Sequence, residues 1–220
     1  MREPENTCAV LSLDIDLIGF IFAEGNSRNV KNISVHAGII PDIANKDIKN
    51  NLEDKKVKRV GVFYDEMPQT LITQVYNYSL DYIQLSGEES PVYIDNLKRT
   101  LIPDISPDIK IIKTLSVSNS EDLEHWRDYK GLADMLLFYC QPVLGADGRE
   151  KNDLSLLDSY DGDIPFLIGG NIAPDDADDI LRISHPQFCG IDLDSQFELK
   201  PALKDVERLR RFVNIIRNRD

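Results

Sequence analysis

Residues able to bind a ligand or transfer a proton follow four short apolar runs, at the point where each run ends: Gln84 and Ser86; Tyr139 and Cys140; Gly169 and Gly170; Asp192, Asp194 and Ser195. A phenol can donate a proton, and a thiol becomes a nucleophile once it ionises. Backbone N–H groups at glycines, together with a serine hydroxyl, can hold a phosphate. The last apolar run leads through its small polar residues into an amphipathic helix, from Val206 to Ile216. This pattern is typical of the phosphate-binding end of a (β/α)8 barrel.

The segments that must position these residues alternate between strand-like and helix-like patterns along the sequence. We predict buried strands at 17–22, 57–63, 81–85, 111–117, 135–139, 166–168 and 189–193. We predict helices at 68–78, 91–99, 121–129, 153–160, 174–183 and 205–217. Such alternation favours a parallel sheet covered by helices. The predicted fold class is therefore α/β, a TIM (β/α)8-type barrel, although the count gives seven strands and not eight.

The composition of the chain argues against two classes of binding partner, nucleic acids and membranes. The chain has 220 residues and a net charge of −13, and we expect one domain spanning 1–220. The negative charge argues against nucleic acid, because nucleic-acid binding relies on Lys and Arg that neutralise phosphates. No apolar run approaches the about 20 residues that span a bilayer, and residues 1–6 lack the apolar core of a signal peptide. With three cysteines in no metal-type spacing, we expect reduced thiols, a cytoplasmic location and no membrane partner.

The run 189–198, together with 201–205, 19–22 and 81–85, closely resembles phosphoribosylanthranilate isomerase, a family of tryptophan biosynthesis. The resemblance covers nearly the whole chain. It implies a (β/α)8 barrel and an Amadori rearrangement that uses no metal or organic cofactor. In that reaction a general acid protonates the oxygen of an aminoribose ring, and a general base takes a proton from the adjacent sugar carbon.

By the resemblance, the segment that carries the family's general base would lie upstream of residue 1. The family begins with a strand ending in Lys-x-Cys-Gly, followed by a run like Met1–Asn6. We therefore expect a barrel without its first strand, with unpaired edges at 17–22 and 189–193 that could support a homo-oligomer. A start codon placed too late and a truncated barrel both remain open. Cys8 is no substitute by position for the missing cysteine, because the resemblance places it in the first helix of the fold.

Several positions of the family's catalytic face carry other residues here. Tyr139 occupies the position of the general acid, an aspartate in the family, and a phenol with a pKa near 10 is poorly matched to neutral pH. Ser86 stands where the family has histidine, and Ala146 and Asp147 interrupt its glycine-rich loop. Asp194 replaces a serine or asparagine at the phosphate site, where a carboxylate repels the ligand.

Other positions match residues that contact substrate in the family. The resemblance implies that Arg28 faces the anthranilate carboxylate, and Arg suits such a planar group. The substrate-binding residues predicted in this way are Arg28, Gln84, Gly169, Gly170, Asp192 and Ser195. The implied partner is a phosphorylated small molecule.

Three functions follow from these observations. The first is a phosphoribosylanthranilate isomerase homologue that is catalytically impaired or inactive, a pseudoenzyme, because the scaffold is kept while site residues differ. The second is a working isomerase whose start has been misassigned. The third is a non-enzymatic binding or interaction protein that pairs through exposed strand edges.

Overall fold

The computed structural model describes residues 1–30, 57–144 and 150–217. Its strands are β1 Leu17–Ile21, β2 Lys58–Phe63, β3 Tyr82–Leu85, β4 Lys110–Val117, β5 Met135–Cys140, β6 Pro142–Leu144, β7 Glu150–Asn152, β8 Phe166–Gly170, β9 Phe188–Ile191, β10 Glu198–Lys200 and β11 Leu203–Lys204. Its α-helices are α1 Pro4–Leu11, α2 Pro68–Tyr78, α3 Pro91–Asp104, α4 Ala177–Leu181 and α5 Val206–Arg217. The 3-10 helices are Ser120–Tyr129, Leu154–Ser159, Pro174–Asp176 and Ser195–Phe197.

Seven parallel strands form the main sheet, in the order β1-β2-β3-β4-β5-β8-β9. These are the seven strands that the sequence predicts. Because every pair is parallel, all their carboxyl ends lie at one edge of the sheet. Within the described ranges, β1 and β9 form the two ends of this sheet and do not pair with each other. The pairs β6-β7 and β10-β11 are separate antiparallel ribbons.

Two apolar layers hold the sheet, one on each face. The smaller cluster joins Val60, Val62, Ile112, Leu137 and Leu167 on the concave face. The larger cluster fills the space between the sheet and the helices. Side chains alternate between the two faces along each strand, so residues two positions beyond a member of the smaller cluster lie on that same inner face. This places the polar residues at the strand ends on one inner face, above the apolar layer.

The predicted helices form with some differences in type and length. Helix α2 has the predicted bounds and begins at a proline, whereas α3 continues from the predicted end at 99 to Asp104. The segments predicted as helices at 121–129 and 153–160 form 3-10 helices. Asn119 caps the first of these in a capping box with Asp122, so its start follows a local sequence signal. No helix in the described residues is long and apolar enough to cross a membrane.

Candidate active site at the carboxyl ends of the strands

Hydroxyl and amide side chains line the inner face where β3, β4 and β5 end. Gln84 Nε2 donates to Ser86 Oγ at 3.2 Å, and Ser86 Oγ lies 2.9 Å from Thr114 Oγ1. On the neighbouring strands, Gln141 Nε2 donates to Ser116 Oγ at 2.9 Å. The histidine position of the family is thus filled by a serine whose hydroxyl already contacts Gln84, Thr114 and Tyr64. Gln84, predicted to bind substrate, holds Ser86 in this structure.

Tyr139, the next-to-last residue of β5, lies on the same inner face and is 43% exposed. Burial raises the pKa of its phenol, and the nearby carboxylates of Asp194 and Asp192 raise it further, while Arg28 acts in the opposite direction. The phenol is therefore a weaker acid than free tyrosine, whose pKa is near 10. At neutral pH it stays protonated and is a poor proton donor.

Cys140, the next residue, is buried, and burial followed by the charge of Asp153 raises the pKa of its thiol to about 11. Such a thiol is inert at neutral pH, because only the thiolate is a nucleophile. Cys8 lies in α1, where the resemblance predicts it. Residues Ala146 and Asp147 of the interrupted glycine-rich loop fall outside the described residues.

Asp192 is a partly buried carboxyl group at the end of β9. Gly169 lies beside it, since a Cβ added to Gly169 would lie 3.5 Å from the Cβ of Asp192. Burial and then the charge of Asp194 raise the pKa of Asp192 to about 6, although Lys204 lowers it. No hydrogen-bond donor from the described part of the chain reaches its carboxylate. Asp192 can therefore give or take a proton near neutral pH, which the sequence does not reveal because burial causes the shift.

The raised pKa of Asp192 predicts a pH-dependent gain in stability for Asp192→Asn. The native carboxyl binds its proton up to about pH 6, whereas the unfolded one releases it around 3.8, so wild-type stability falls as pH rises between these values. Asparagine does not titrate. We expect the variant to be more stable than wild type above pH 6, by roughly 1 to 3 kcal/mol, and equal to it near pH 4. Urea unfolding at both pH values measures this, and an equal difference at both pH values would contradict it.

Arg28 lies in an ion-pair network beside this carboxyl. Its Nη2 is 2.9 Å from Glu198 Oε2, and its Nε is 3.3 Å from Asp194 Oδ1. Lys204 Nζ reaches the same two carboxylates at 3.3 Å each and donates to the carbonyl oxygen of Leu193 at 2.9 Å. The hydrogen bond to Glu198 is the largest cause that raises the pKa of Arg28. The guanidinium predicted to face a substrate carboxylate thus already binds two carboxylates of the protein.

The loops that follow β8 and β9 contact each other. Gln196 Nε2 donates to Asn171 Oδ1 at 2.5 Å. Gly170 has φ +113°, and a Cβ there would lie 2.4 Å from the carbonyl oxygen of Cys140, so this turn requires glycine. Ser195 begins the 3-10 helix Ser195–Phe197 in the second loop. The structure therefore brings Gly169, Gly170, Asp192 and Ser195 to one end of the sheet, as the sequence predicts.

A curled sheet of parallel strands, with acidic, basic and hydroxyl groups at the carboxyl ends of its strands, is the architecture of the TIM-barrel class. The family described as N-(5'phosphoribosyl)anthranilate (PRA) isomerase matches residues 6–215, and the chain belongs to this family. The N-(5'-phosphoribosyl)anthranilate isomerase of Parabacteroides distasonis is 35% identical over 218 residues, which cover 98% of this chain and 90% of the relative. That of Phocaeicola vulgatus is 31% identical, covering 100% of this chain and 96% of the relative.

Solved structures of the family share the fold. The phosphoribosyl anthranilate isomerase of Thermotoga maritima superposes with a TM-score of 0.71 at 22% identity, covering 98% of this chain and 95% of that chain. A structure of the enzyme in complex with reduced 1-(o-carboxyphenylamino)-1-deoxyribulose 5-phosphate gives a TM-score of 0.69 at 22% identity, with 98% and 94% covered. These similarities establish the barrel fold of this chain.

Proposed function

We propose that this protein binds the phosphorylated substrate of its family, N-(5'-phosphoribosyl)anthranilate, and catalyses its isomerisation weakly or not at all. The observation that carries the proposal is Tyr139 at the end of β5, where the family has its acidic aspartate and where burial raises the pKa of the phenol. Family membership supports the ligand class, and a solved relative binds a reduced product analogue that carries the same phosphate. A cytoplasmic location and a single domain over 1–220 belong to the same proposal.

The steps of the isomerisation show why a general acid is needed at the position of Tyr139. Protonation of the ring oxygen lets the bond between that oxygen and the first sugar carbon break, and the nitrogen lone pair forms an iminium ion. A base then removes the proton on the second carbon, and that electron pair forms the enolamine double bond and neutralises the nitrogen. A proton shift gives the ketone. Without a suitable acid the first bond breaks slowly, and a general acid contributes about 10²- to 10⁴-fold.

A second candidate is an active isomerase in which another group supplies the proton. Asp192 favours it, because this carboxyl group lies near enough to Tyr139 to raise the pKa of its phenol, and its own pKa of about 6 suits proton transfer near neutral pH. This candidate also requires a general base, which in the family comes from the Lys-x-Cys-Gly strand. The two candidates therefore differ in turnover and agree on the ligand.

An activity assay on two versions of the protein separates them. One is the chain of 220 residues, and the other is extended upstream in frame through any Lys-x-Cys-Gly segment. Each receives phosphoribosylanthranilate, and loss of its anthranilate-type fluorescence reports turnover. We expect both folded proteins to bind the reduced product analogue, with little or no turnover. Family-like turnover in the extended version would contradict impairment and favour the active candidate.

The interaction protein remains a third candidate, because β1 and β9 end the described sheet without pairing with each other. The outer edge of β1, expected to be unpaired, is partly covered, because Met1 N and Val30 N donate to the carbonyl oxygens of Gly19 and Ile21. Pairing with a second chain would therefore use the edge of β9. Size-exclusion chromatography tests this directly. A single monomeric peak across a wide concentration range would count against pairing through this edge.

A further inference from the structure

The phosphate end of the site contains a carboxylate of the protein itself. Phosphate groups in (β/α)8 barrels bind at the loops after the last two strands, which here are the loops following β8 and β9. Asp194 lies in the second of these loops, directly before Ser195–Phe197. The backbone N–H groups of Asn171, Ser195 and Gln196 donate to no other group in the described part of the chain. These donors and the nearby cations suit an anion.

Two cations beside this loop, Arg28 and Lys204, already contact Asp194. Arg28 Nε and Lys204 Nζ each lie 3.3 Å from Asp194 Oδ1. Glu198 contacts the same two cations, so two positive charges face two negative ones. A phosphate that approaches Arg28 and Lys204 therefore meets a network with no excess positive charge.

The two carboxylates of this network differ in how firmly they are held. The Glu198 side chain is 5% exposed and its Oε2 lies 2.9 Å from Arg28, whereas the Asp194 side chain is 44% exposed with contacts of 3.3 Å. Longer, solvent-exposed ion pairs contribute little to stability. Glu198 is thus the fixed partner of the two cations, and Asp194 is the partner that a stronger anion can displace.

Building on the proposed phosphorylated ligand, we propose that Asp194 is an internal substitute for its phosphate and sets the phosphate affinity of the site. The Asp194 carboxylate occupies Arg28 and Lys204 in the free protein. A phosphate binds tightly when it replaces the Asp194 carboxylate as the partner of Arg28 and Lys204. A phosphate that leaves this carboxylate in place binds weakly. Removing this one negative charge makes the loop less negative, although the nearby Asp192 carboxylate remains, and this change favours any phosphate.

The test measures the dissociation constant of inorganic phosphate by isothermal titration calorimetry at low salt, where charge effects are least screened. The proteins are wild type, Asp194→Ser, Asp194→Asn and the control Asp175→Ser, each verified as folded by circular dichroism. Asp194→Asn keeps the side-chain shape and serves if the serine variant misfolds. Asp175 is exposed and lies in the 3-10 helix Pro174–Asp176 that follows β8, so the control removes the same charge from the same end of the barrel.

We expect both Asp194 variants to bind phosphate about tenfold more tightly than wild type, with the control unchanged. Equal affinity of wild type and the Asp194 variants would overturn the inference and leave the phosphorylated ligand of the proposed function standing. An equal gain in the control would also overturn it, because bulk charge would then explain the effect. Failure of every folded protein to bind phosphate would overturn both the inference and the proposed ligand class.

Discussion

Replacing Tyr139 by aspartate is expected to raise isomerase turnover by about 10²-fold, because a positioned general acid contributes that much or more. Tyr139 is the next-to-last residue of β5, and the carboxylates of Asp192 and Asp194 lie near enough to raise the pKa of its phenol. The two carboxylates that raise the pKa of the phenol would also raise that of a carboxyl group at this position. A carboxyl group with its pKa shifted toward neutrality is a better proton donor to the ring oxygen than a phenol.

The measurement is kcat for phosphoribosylanthranilate in the version that is extended through the Lys-x-Cys-Gly segment, so that the base is present. Tyr139→Phe is the matched control, since it removes the hydroxyl and adds no acid. We expect the phenylalanine variant to match wild type. An aspartate variant that is folded and no faster than wild type would contradict the prediction. If the phenylalanine variant loses turnover instead, the phenol itself is the acid.

The strands and their order are the part of the fold that the sequence predicts best. Each of the seven predicted strands forms, with bounds within two residues of the prediction. Buried parallel strands carry near-continuous apolar runs, and β5 and β8 show this clearly. The helices are less well predicted, because the difference between an α-helix and a 3-10 helix depends on packing of short segments. Ser120–Tyr129 and Leu154–Ser159 illustrate this, since a short periodic run fits either form.

The sequence predicts where the site residues lie in the fold. It does not predict the ion pairs and the pKa values of these residues. The carboxyl ends of parallel strands must meet, so Gly169, Asp192 and Ser195 gather as expected. The partners of Arg28 do not follow in the same way. Glu198 is 170 positions away along the chain, and its contact with Arg28 depends on where the loop after β9 folds back. The same holds for the pKa of Asp192, which is set by burial.

A second charged pair, which the sequence does not reveal, lies beneath the polar residues of β3 and β4. Lys113 and Glu89 are 2% and 1% exposed, and Lys113 Nζ lies 2.8 Å from Glu89 Oε2. Lys113 also donates to the carbonyl oxygen of Gly87 at 2.6 Å. Glu89 Oε1 accepts from the backbone N–H of Asp65 at 3.0 Å and of Gly87 at 3.2 Å. The pair thus ties together the loops that follow β2 and β3, next to Ser86.

Breaking this pair on one side is expected to cost about 3 to 5 kcal/mol of unfolding free energy, because it leaves an uncompensated buried charge. Lys113→Met removes the ammonium group and keeps most of the side-chain volume, so the loss comes from the stranded carboxylate of Glu89. Glu89→Gln strands the ammonium group of Lys113 in the same way. Urea unfolding at pH 7 measures both variants.

The double variant Lys113→Met with Glu89→Gln shows whether the stranded charge causes the loss of unfolding free energy. With both charges gone, the glutamine oxygen can still accept from Asp65 and Gly87, and the methionine fills the apolar space. We expect the double variant to be more stable than either single variant, since replacing both members of a buried ion pair is often nearly neutral. Losses that simply add in the double variant would show that each side chain acts independently, which the 2.8 Å contact between Lys113 and Glu89 argues against.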